Sequence, residues 1–287
     1  MDLTAFADEV GSSDPVTVTG LGTRGGAVEG VRTVRPPSGI DWIQADEMTM
    51  SCGAGTPVAE IEAALAEVGQ CLALPSSGTV GGALSVGQSG IRRLGYGPVR
   101  DVLLQTHYVS DRGAVVQAGG PTVKNVSGFD LCRLLVGARG TLGFLGDTIL
   151  RTRPLPLHSQ WFSSDADDPF PIFTSLYRPT SVLWDGSTLW ALLEGHPADV
   201  ASQAARCALA ECDGPPDLPA GSRRSVPPAE IVTLTGRFVV EVGVGVVHHA
   251  EPTPVPAPRE PSVTKLARRI KAEFDPDGRL NPGVVVG

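Results

Sequence analysis

Three segments of this sequence concentrate glycine beside hydroxyl side chains, a combination suited to binding anions through the backbone. They are Gly20-Leu21-Gly22-Thr23-Arg24-Gly25-Gly26, Pro75-Ser76-Ser77-Gly78-Thr79-Val80-Gly81-Gly82 and Gly137-Ala138-Arg139-Gly140-Thr141-Leu142-Gly143. A glycine inside a regular element costs ~0.5–1 kcal/mol, so this density asks for something that approaches the main chain closely. Successive N–H groups in such loops form a concavity for phosphate, and the absent Cβ leaves it open. Taken singly, each loop reads as an ordinary turn. Three together, with Thr19, Thr23, Ser76, Thr79 and Thr141 at hand, favour phosphate. Two familiar nucleotide signatures fail. No Gly-x-x-x-x-Gly-Lys-Ser/Thr occurs, and although Gly20 to Gly25 has the dinucleotide spacing, Gly26 and an extended run follow where a helix is required.

Groups for proton or metal chemistry are sparser. His248-His249 ends an alternating run, so the two rings point to opposite faces: either a solvent-exposed strand end or, for one of them, a group beside a bound cofactor. The cysteines Cys52, Cys71, Cys132, Cys207 and Cys212 are odd in number and contain no CxxC, which predicts free thiols and no metal or iron–sulfur site. With 23 Lys+Arg against 31 Asp+Glu, a net charge of −8 and no basic stretch interleaved with aromatics, nucleic acid is excluded as an expected partner. The acidic start lacks a signal peptide's charge and apolar run, and no apolar run reaches the ~18 residues of a bilayer span, so a cytoplasmic protein is expected.

The elements that must position these residues are short, in keeping with 35 glycines and 25 prolines. Val16 to Thr19 and Val31 to Val34 read as strands around the first glycine loop. Met48 to Cys52 reads as a strand leading into a helix with Thr56 as N-cap, Pro57 at the first helical position, Val58, Ile61, Leu65 and Val68 on its buried face, and Gly69 stopping it. Arg153-Pro154-Leu155-Pro156 marks a boundary. Beyond it, Ser181 to Trp184, a helix over Ala198 to Ala210 and an alternating run from Phe238 to Val247 suggest a small α+β unit. Pro252 to Pro261 reads as a linker, and Val263, Leu266, Ala267 and Ile270 as the apolar stripe of a last helix. The domains expected are 1–155, 156–255 and 256–287.

The order of these motifs resembles the FAD-binding fold of the vanillyl-alcohol oxidase type, the PCMH-type FAD-linked oxidases, and within it the GlcE-like subunits of glycolate oxidase. The resemblance rests on Gly20 to Gly26, Gly78-Thr79-Val80-Gly81-Gly82, the run Ser89 to Asp101, Val123-Lys124-Asn125-Val126-Ser127-Gly128-Phe129-Asp130-Leu131, Gly140-Thr141-Leu142-Gly143, and the closing Phe274 to Gly283. It covers residues 15 to 153 and the last twenty or so. It implies an α+β fold of two α/β subdomains with a reduced α+β cap. It further implies an FAD whose pyrophosphate lies between the first two glycine loops, with the isoalloxazine at the junction of FAD domain and cap. Thr19, Gly20, Gly22, Thr23, Arg24 and Gly25 would line one side of the pyrophosphate. Ser76, Gly78, Thr79, Val80, Gly81 and Gly82 would line the other, with Gly140 and Gly143 near by. Ser85, Ser89 and Gly90 would run along the dinucleotide, and Asn125, Ser127 and Gly128 would approach the ring. Arg100 is either a cofactor contact or the partner of Asp101, and Arg92-Arg93 leaves the same choice.

No His, Cys or Tyr stands in 78–90 or 124–130 for a covalent link, so FAD is expected to be non-covalent. The resemblance implies an FAD-dependent oxidoreductase subunit that oxidises a 2-hydroxy acid such as glycolate or D-lactate in a complex with a second flavoprotein and an iron–sulfur subunit. In the cell it would be cytoplasmic, or peripheral to the inner membrane through those partners. The alternative is a non-catalytic FAD-binding subunit that supports a catalytic homologue. The sequence assigns no catalytic residue.

Overall fold

The computed structural model describes residues 1–120, 130–252 and 260–284. Contacts divide the chain into two units: one of Met1–Gly90, Pro98–Leu155 and Arg259–Gly287, the other of Ile91–Gly97 and Pro156–Pro258. Ile91–Gly97, placed with the first domain from sequence, thus groups with the second. There the Gly95 N–H donates to Thr180 O at 3.1 Å, and a Cβ on Gly95 would lie 2.7 Å from Thr180 Cα.

In the first unit, strands β1 (Val16–Val18) and β2 (Arg32–Val34) pair in parallel around the first glycine loop. Strands β3 (Ile40–Gln44), β4 (Thr49–Gly53), β6 (Leu103–Val109), β7 (Val115–Gly119) and β8 (Phe144–Arg151) form an antiparallel sheet in the order β3-β4-β8-β6-β7. A small pair joins β5 (Gln70–Cys71) to β9 (Arg153–Pro154). Helices α1 (Thr4–Val10), α2 (Val58–Glu67), α3 (Val80–Val86), α5 (Leu131–Leu135) and α9 (Pro261–Phe274) complete it. Two cores result. Met50, Ile61, Leu65, Leu84 and Leu150 fill the larger, and Phe6, Val16, Phe144 and Leu280 the smaller. Leu280 bridges Val16 in parallel, so the chain's closing segment extends the β1–β2 pair.

The helix expected after Met48–Cys52 is α2, with Val58, Ile61 and Leu65 buried. Its start differs by one residue. Pro57, at φ −59° and ψ 134°, is the cap, and the Thr56 hydroxyl donates back to Gly53 O at 2.7 Å instead of capping. Gly69 adopts φ +68° as a stop requires, which leaves Val68 exposed rather than on the core face. In α9 only the last two turns are covered: Ile270 and Phe274 reach the larger core, while Val263 and Leu266 are exposed.

The second unit holds α4 (Arg93–Tyr96), α6 (Phe170–Ser175), α7 (Pro197–Arg206) and α8 (Pro228–Ile231). Its strands are β10 (His158–Asp165), β11 (Ser181–Trp184), β12 (Thr188–Gly195), β13 (Ala210–Cys212), β14 (Ser222–Ser225), β15 (Phe238–Glu241) and β16 (Val246–His249). They make one sheet in the order β13-β10-β12-β11-β15-β16-β14. The helix expected over Ala198 to Ala210 ends at Arg206, because Ala208 turns the chain at φ +50°. The run Phe238 to Val247 is a hairpin rather than one strand, since Gly243 and Gly245 both take positive φ, which glycine alone adopts without strain.

Candidate functional site

The three glycine loops converge in the first unit on a cavity of about 200 Å³. Of the residues singled out from sequence, Thr19, Gly20, Gly22, Thr23, Arg24, Gly25, Thr79, Gly81, Gly82, Ser85 and Gly140 form its wall. Ser76, Gly78, Val80, Ser89, Gly90, Arg100 and Gly143 do not. The Ser76 hydroxyl bonds Glu62 at 2.9 Å, Val80 belongs to the core, and Ser89 Oγ accepts from Val99 N at 3.1 Å. Arg100 is exposed with its Nε 3.9 Å from Asp101, the ion-pair choice of the two open in the sequence. Asn125, Ser127 and Gly128 lie outside the described residues.

The glycines serve two different ends. Gly22 and Gly25 take φ +72° and +87°, and a Cβ on either would meet nothing within 4 Å, so they bend the chain around open space. At Gly20 a Cβ would sit 2.6 Å from Thr79 Oγ1, and at Gly81 2.9 Å from Ala54 O. On Gly78 it would collide with Thr23 and Arg24, and on Gly143 with the Tyr108 ring. These four let protein pack on protein. The amides of the second loop are accordingly turned toward protein. Val80 and Gly81 N–H groups donate to Thr56 O and Ala54 O, which ties the second loop to the connection between β4 and α2, and Gly82 N–H donates to Thr79 Oγ1 within the loop. Among the described residues, the amides of Gly20, Leu21, Gly22 and Gly140 have no acceptor.

Charge supports the same assignment. Arg24 donates to Ser77 O at 2.5 Å and Ser77 Oγ at 3.3 Å, tying the first loop to the second, and burial pushes its guanidinium below the ordinary value. Arg139, exposed at the wall with φ +53°, makes no side-chain hydrogen bond or ion pair among the described residues. Two cations and four open amides in an acidic chain suit an anion such as a diphosphate. The cavity is smaller than the ~300–1,000 Å³ that encloses a whole drug-sized ligand, so it fits the phosphate part of a dinucleotide.

Sequence reasoning missed Asn281 and Arg139. Asn281, at φ +45°, accepts from Thr17 Oγ1 at 2.8 Å and Val18 N at 3.1 Å and donates to Arg139 O at 2.7 Å, joining β1 to the third loop. Its signal was an asparagine, a residue tolerant of positive φ, before Pro282-Gly283. Arg139 stands between glycines at φ +86° and +71°, a setting that holds its backbone in the left-handed region. In the second unit the two histidines do take opposite faces. His248 Nε2 lies 2.9 Å from Glu241 Oε1, while the His249 ring sits by Phe238 and has its basicity lowered by burial and then by Arg224. No group of three or more His, Cys, Asp or Glu among the described residues could hold a metal, and no described helix is long and apolar enough to cross a membrane.

Residues 12–119 match the family described as FAD binding domain. Over 128 residues the chain is 39% identical to glycolate oxidase subunit GlcE of Escherichia coli, covering 43% of this chain and 37% of that one. Over 159 residues it is 35% identical to a D-lactate dehydrogenase of Archaeoglobus fulgidus, covering 52% and 35%. The matched segments thus span little more than a third of these relatives' own length. An alkyldihydroxyacetonephosphate synthase structure superposes on 98% of the chain and 72% of its own length with a TM-score of 0.66 at 14% identity, which shows a shared fold.

Proposed function

We propose that this chain, whose residues 12–119 match the family described as FAD binding domain, is an FAD-dependent oxidoreductase subunit that acts on a 2-hydroxy acid such as glycolate or D-lactate. The observation that carries this reading is the cavity where the open amides of Gly20 to Gly22 and Gly140 meet Arg24 and Arg139. Those groups would hold the cofactor's pyrophosphate, and Asn281 would fix the spacing of the loops that carry them. Bound FAD supplies the acceptor for the electron pair of the alcohol. The protein's part is to hold the acid and exclude water.

Attachment is non-covalent, since residues 78–90 and 124–130 contain no His, Cys or Tyr. Electrons would leave through a partner, because the chain has no iron–sulfur cysteine pattern, and the relatives named as glycolate oxidase subunits GlcE and GlcD suggest a second flavoprotein as one such partner. The visible spectrum of the purified protein, followed by anaerobic addition of glycolate or D-lactate, tests the reading. Flavin bands that bleach support it. Bands that persist with and without partner chains favour a non-catalytic FAD-binding subunit, and absence of flavin binding overturns both. Precipitation with trichloroacetic acid tests attachment: flavin in the supernatant is expected, and a yellow pellet would contradict it.

A further inference from the structure

Helix α9 differs from the other long helices in how little of it the protein covers. None of its 14 residues is buried, whereas α2 buries Val58, Ile61 and Leu65 and α7 buries Val200 and Ala204. Ile270 and Phe274 seat its last two turns on the core, but Val263 and Leu266 are 48% and 55% exposed. Steps of three residues put Val263, Leu266 and Arg269 on one ridge, with Lys265 one turn before Arg269. Residues 261–272 carry Lys265, Arg268, Arg269 and Lys271 and no acid. Lys271 pairs with Asp275, while the side chains of the other three make no hydrogen bond or ion pair among the described residues. Like charges three and four positions apart repel along a helix, a cost that an acidic neighbour would remove.

The first unit also carries the complementary surface. Met48 O accepts from Thr152 N at 2.8 Å, Gly69 O from Leu155 N at 2.8 Å and Ala45 O from Gln70 Nε2 at 2.7 Å, so three chain segments meet there and leave Met48, Val68 and Leu155 exposed at their junction. Asp46, Glu47 and Glu67 stand beside them in the chain, exposed and without an ion pair among the described residues. These three carboxylates outnumber the neighbouring cations Arg151 and Arg153. Met48 is held at φ +53° and ψ 45°, a region that strains any residue but glycine and a few small polar ones. Such strain concentrates at binding sites, and an unbranched thioether adapts to an irregular partner. Single exposed apolar residues are ordinary. Here each set is clustered, and each carries the charge that the other lacks.

We propose that α9 docks on this patch of a second copy of the same chain. Val263 and Leu266 cover Met48, Val68 and Leu155, and Lys265 and Arg269 face Asp46, Glu47 and Glu67. A two-fold axis makes the contact twice, with α9 of each copy on the patch of the other, and closes the assembly at a dimer. The apolar burial gives affinity, and the charges give register and salt dependence. A second copy fits better than an anionic bilayer, which a chain of net charge −8 does not attract. Ile270 and Phe274 of the same stripe are already seated in the core, which leaves too short an apolar face to lie in lipid.

Sedimentation equilibrium of the full chain, with whatever flavin it retains on purification, tests the contact. A dimer is expected, with association at least tenfold weaker in ~0.5 M salt, where exposed charges are screened within a few ångströms. Arg269→Glu and Glu67→Arg, both at exposed positions, should each leave a monomer with an unchanged melting point. Mixed in equal amounts, the two variants should associate again, because their heterodimer has one native contact and one with both charges reversed. A monomer at every concentration, a dimer indifferent to either reversal, a mixture that stays monomeric, or growth into open-ended chains would overturn the proposal. A monomer that sediments with phosphatidylglycerol vesicles would overturn it by giving α9 to a membrane. None of these residues lines the phosphate cavity, so the outcome is independent of the cofactor reading.

Discussion

The two units handle buried polar groups in opposite ways. In the first, long side chains bind main-chain carbonyls. Arg279, 3% exposed, donates to Ser13, Asp14, Gly11, Asp111 and Val10 oxygens, and Lys271 reaches Thr141 O at 2.7 Å and pairs with Asp275. The cavity wall of the same unit is rich in glycine, with Gly20, Gly22, Gly25, Gly26, Gly81, Gly82 and Gly140 along it. In the second, Arg223, His248 and Glu241 meet one another, and two polar atoms remain open. A site built of backbone tolerates changes of side chain and is destroyed by an added Cβ. A site built of side chains has the reverse sensitivity.

Gly81→Val should break this contrast most sharply. Its Cβ would lie 2.9 Å from Ala54 O and 3.0 Å from Ala54 Cβ, with the Gly81 N–H already bonded to that carbonyl, so no small shift makes room. Destabilisation of ~4 kcal/mol or more is expected, with loss of the folded first unit in urea titration. Gly22→Ala is the control. Its Cβ points into open space, so the fold should lose only the ~1–2 kcal/mol of a left-handed alanine, while FAD affinity falls at least tenfold. Equal loss of stability in both variants would refute the division of the glycines into packing and cavity roles.

Arg279→Met comes next. It removes five hydrogen bonds and leaves buried carbonyls bare, which should cost ~3 kcal/mol, read as a lower urea midpoint at constant slope. Asn281→Ala should follow at ~2 kcal/mol, with weaker FAD binding, since three bonds and a positive-φ residue are lost together. Asn281→Asp keeps the acceptor for Thr17 and Val18 and gives up only the donor to Arg139 O, so it should fall between Asn281→Ala and wild type. An aspartate variant as weak as alanine would mean that the third loop, not β1, is what Asn281 holds.

What could be read from the sequence follows the same line. The glycine loops were legible because a positive φ or a backbone collision admits little but glycine, and α2 because its apolar residues recur at a helical period. The details set by other segments were not. Gly53 and Gly55 lie against the carbonyls of Pro36 and Pro37, and this draws Thr56 inward, so Pro57 takes the cap. The hairpin at Gly243-Val244-Gly245 was written in its glycines, but the apolar alternation on both sides masked it. The polar face of the second unit was not legible: Ser181, Arg223, Glu241 and His248 come from four strands, and only the pairing register brings them to one face. Arg139 and Asn281 meet through a main-chain carbonyl, which no residue pattern announces.

The smallest expected effect concerns two thiols in the backbone-held unit. Burial pushes Cys52 and Cys132 up from the ordinary 9.0 to about 11, opposed at Cys52 by its hydrogen bond with Thr148 and reinforced at Cys132 by Asp130. Between pH 9 and 11 the folded chain holds protons that the unfolded chain has released, so stability is complete below pH 9 and is lost as pH rises toward 11. From pH 8 to 10 the loss is on the order of 1 kcal/mol per thiol, because a tenfold difference in proton affinity between folded and unfolded chain is worth ~1.4 kcal/mol. The three half-buried thiols, Cys71, Cys207 and Cys212, provide the comparison. At pH 8.5 iodoacetamide should label those three and spare Cys52 and Cys132. The alkaline loss should be smaller in Cys52→Ala, relative to that variant's own stability at pH 8, and remain whole in Cys71→Ala. Rapid labelling of Cys52 in the folded protein, or an alkaline loss unchanged in Cys52→Ala, would show that the β4 core admits solvent and that the tight packing ascribed to the first unit stops short of Cys52.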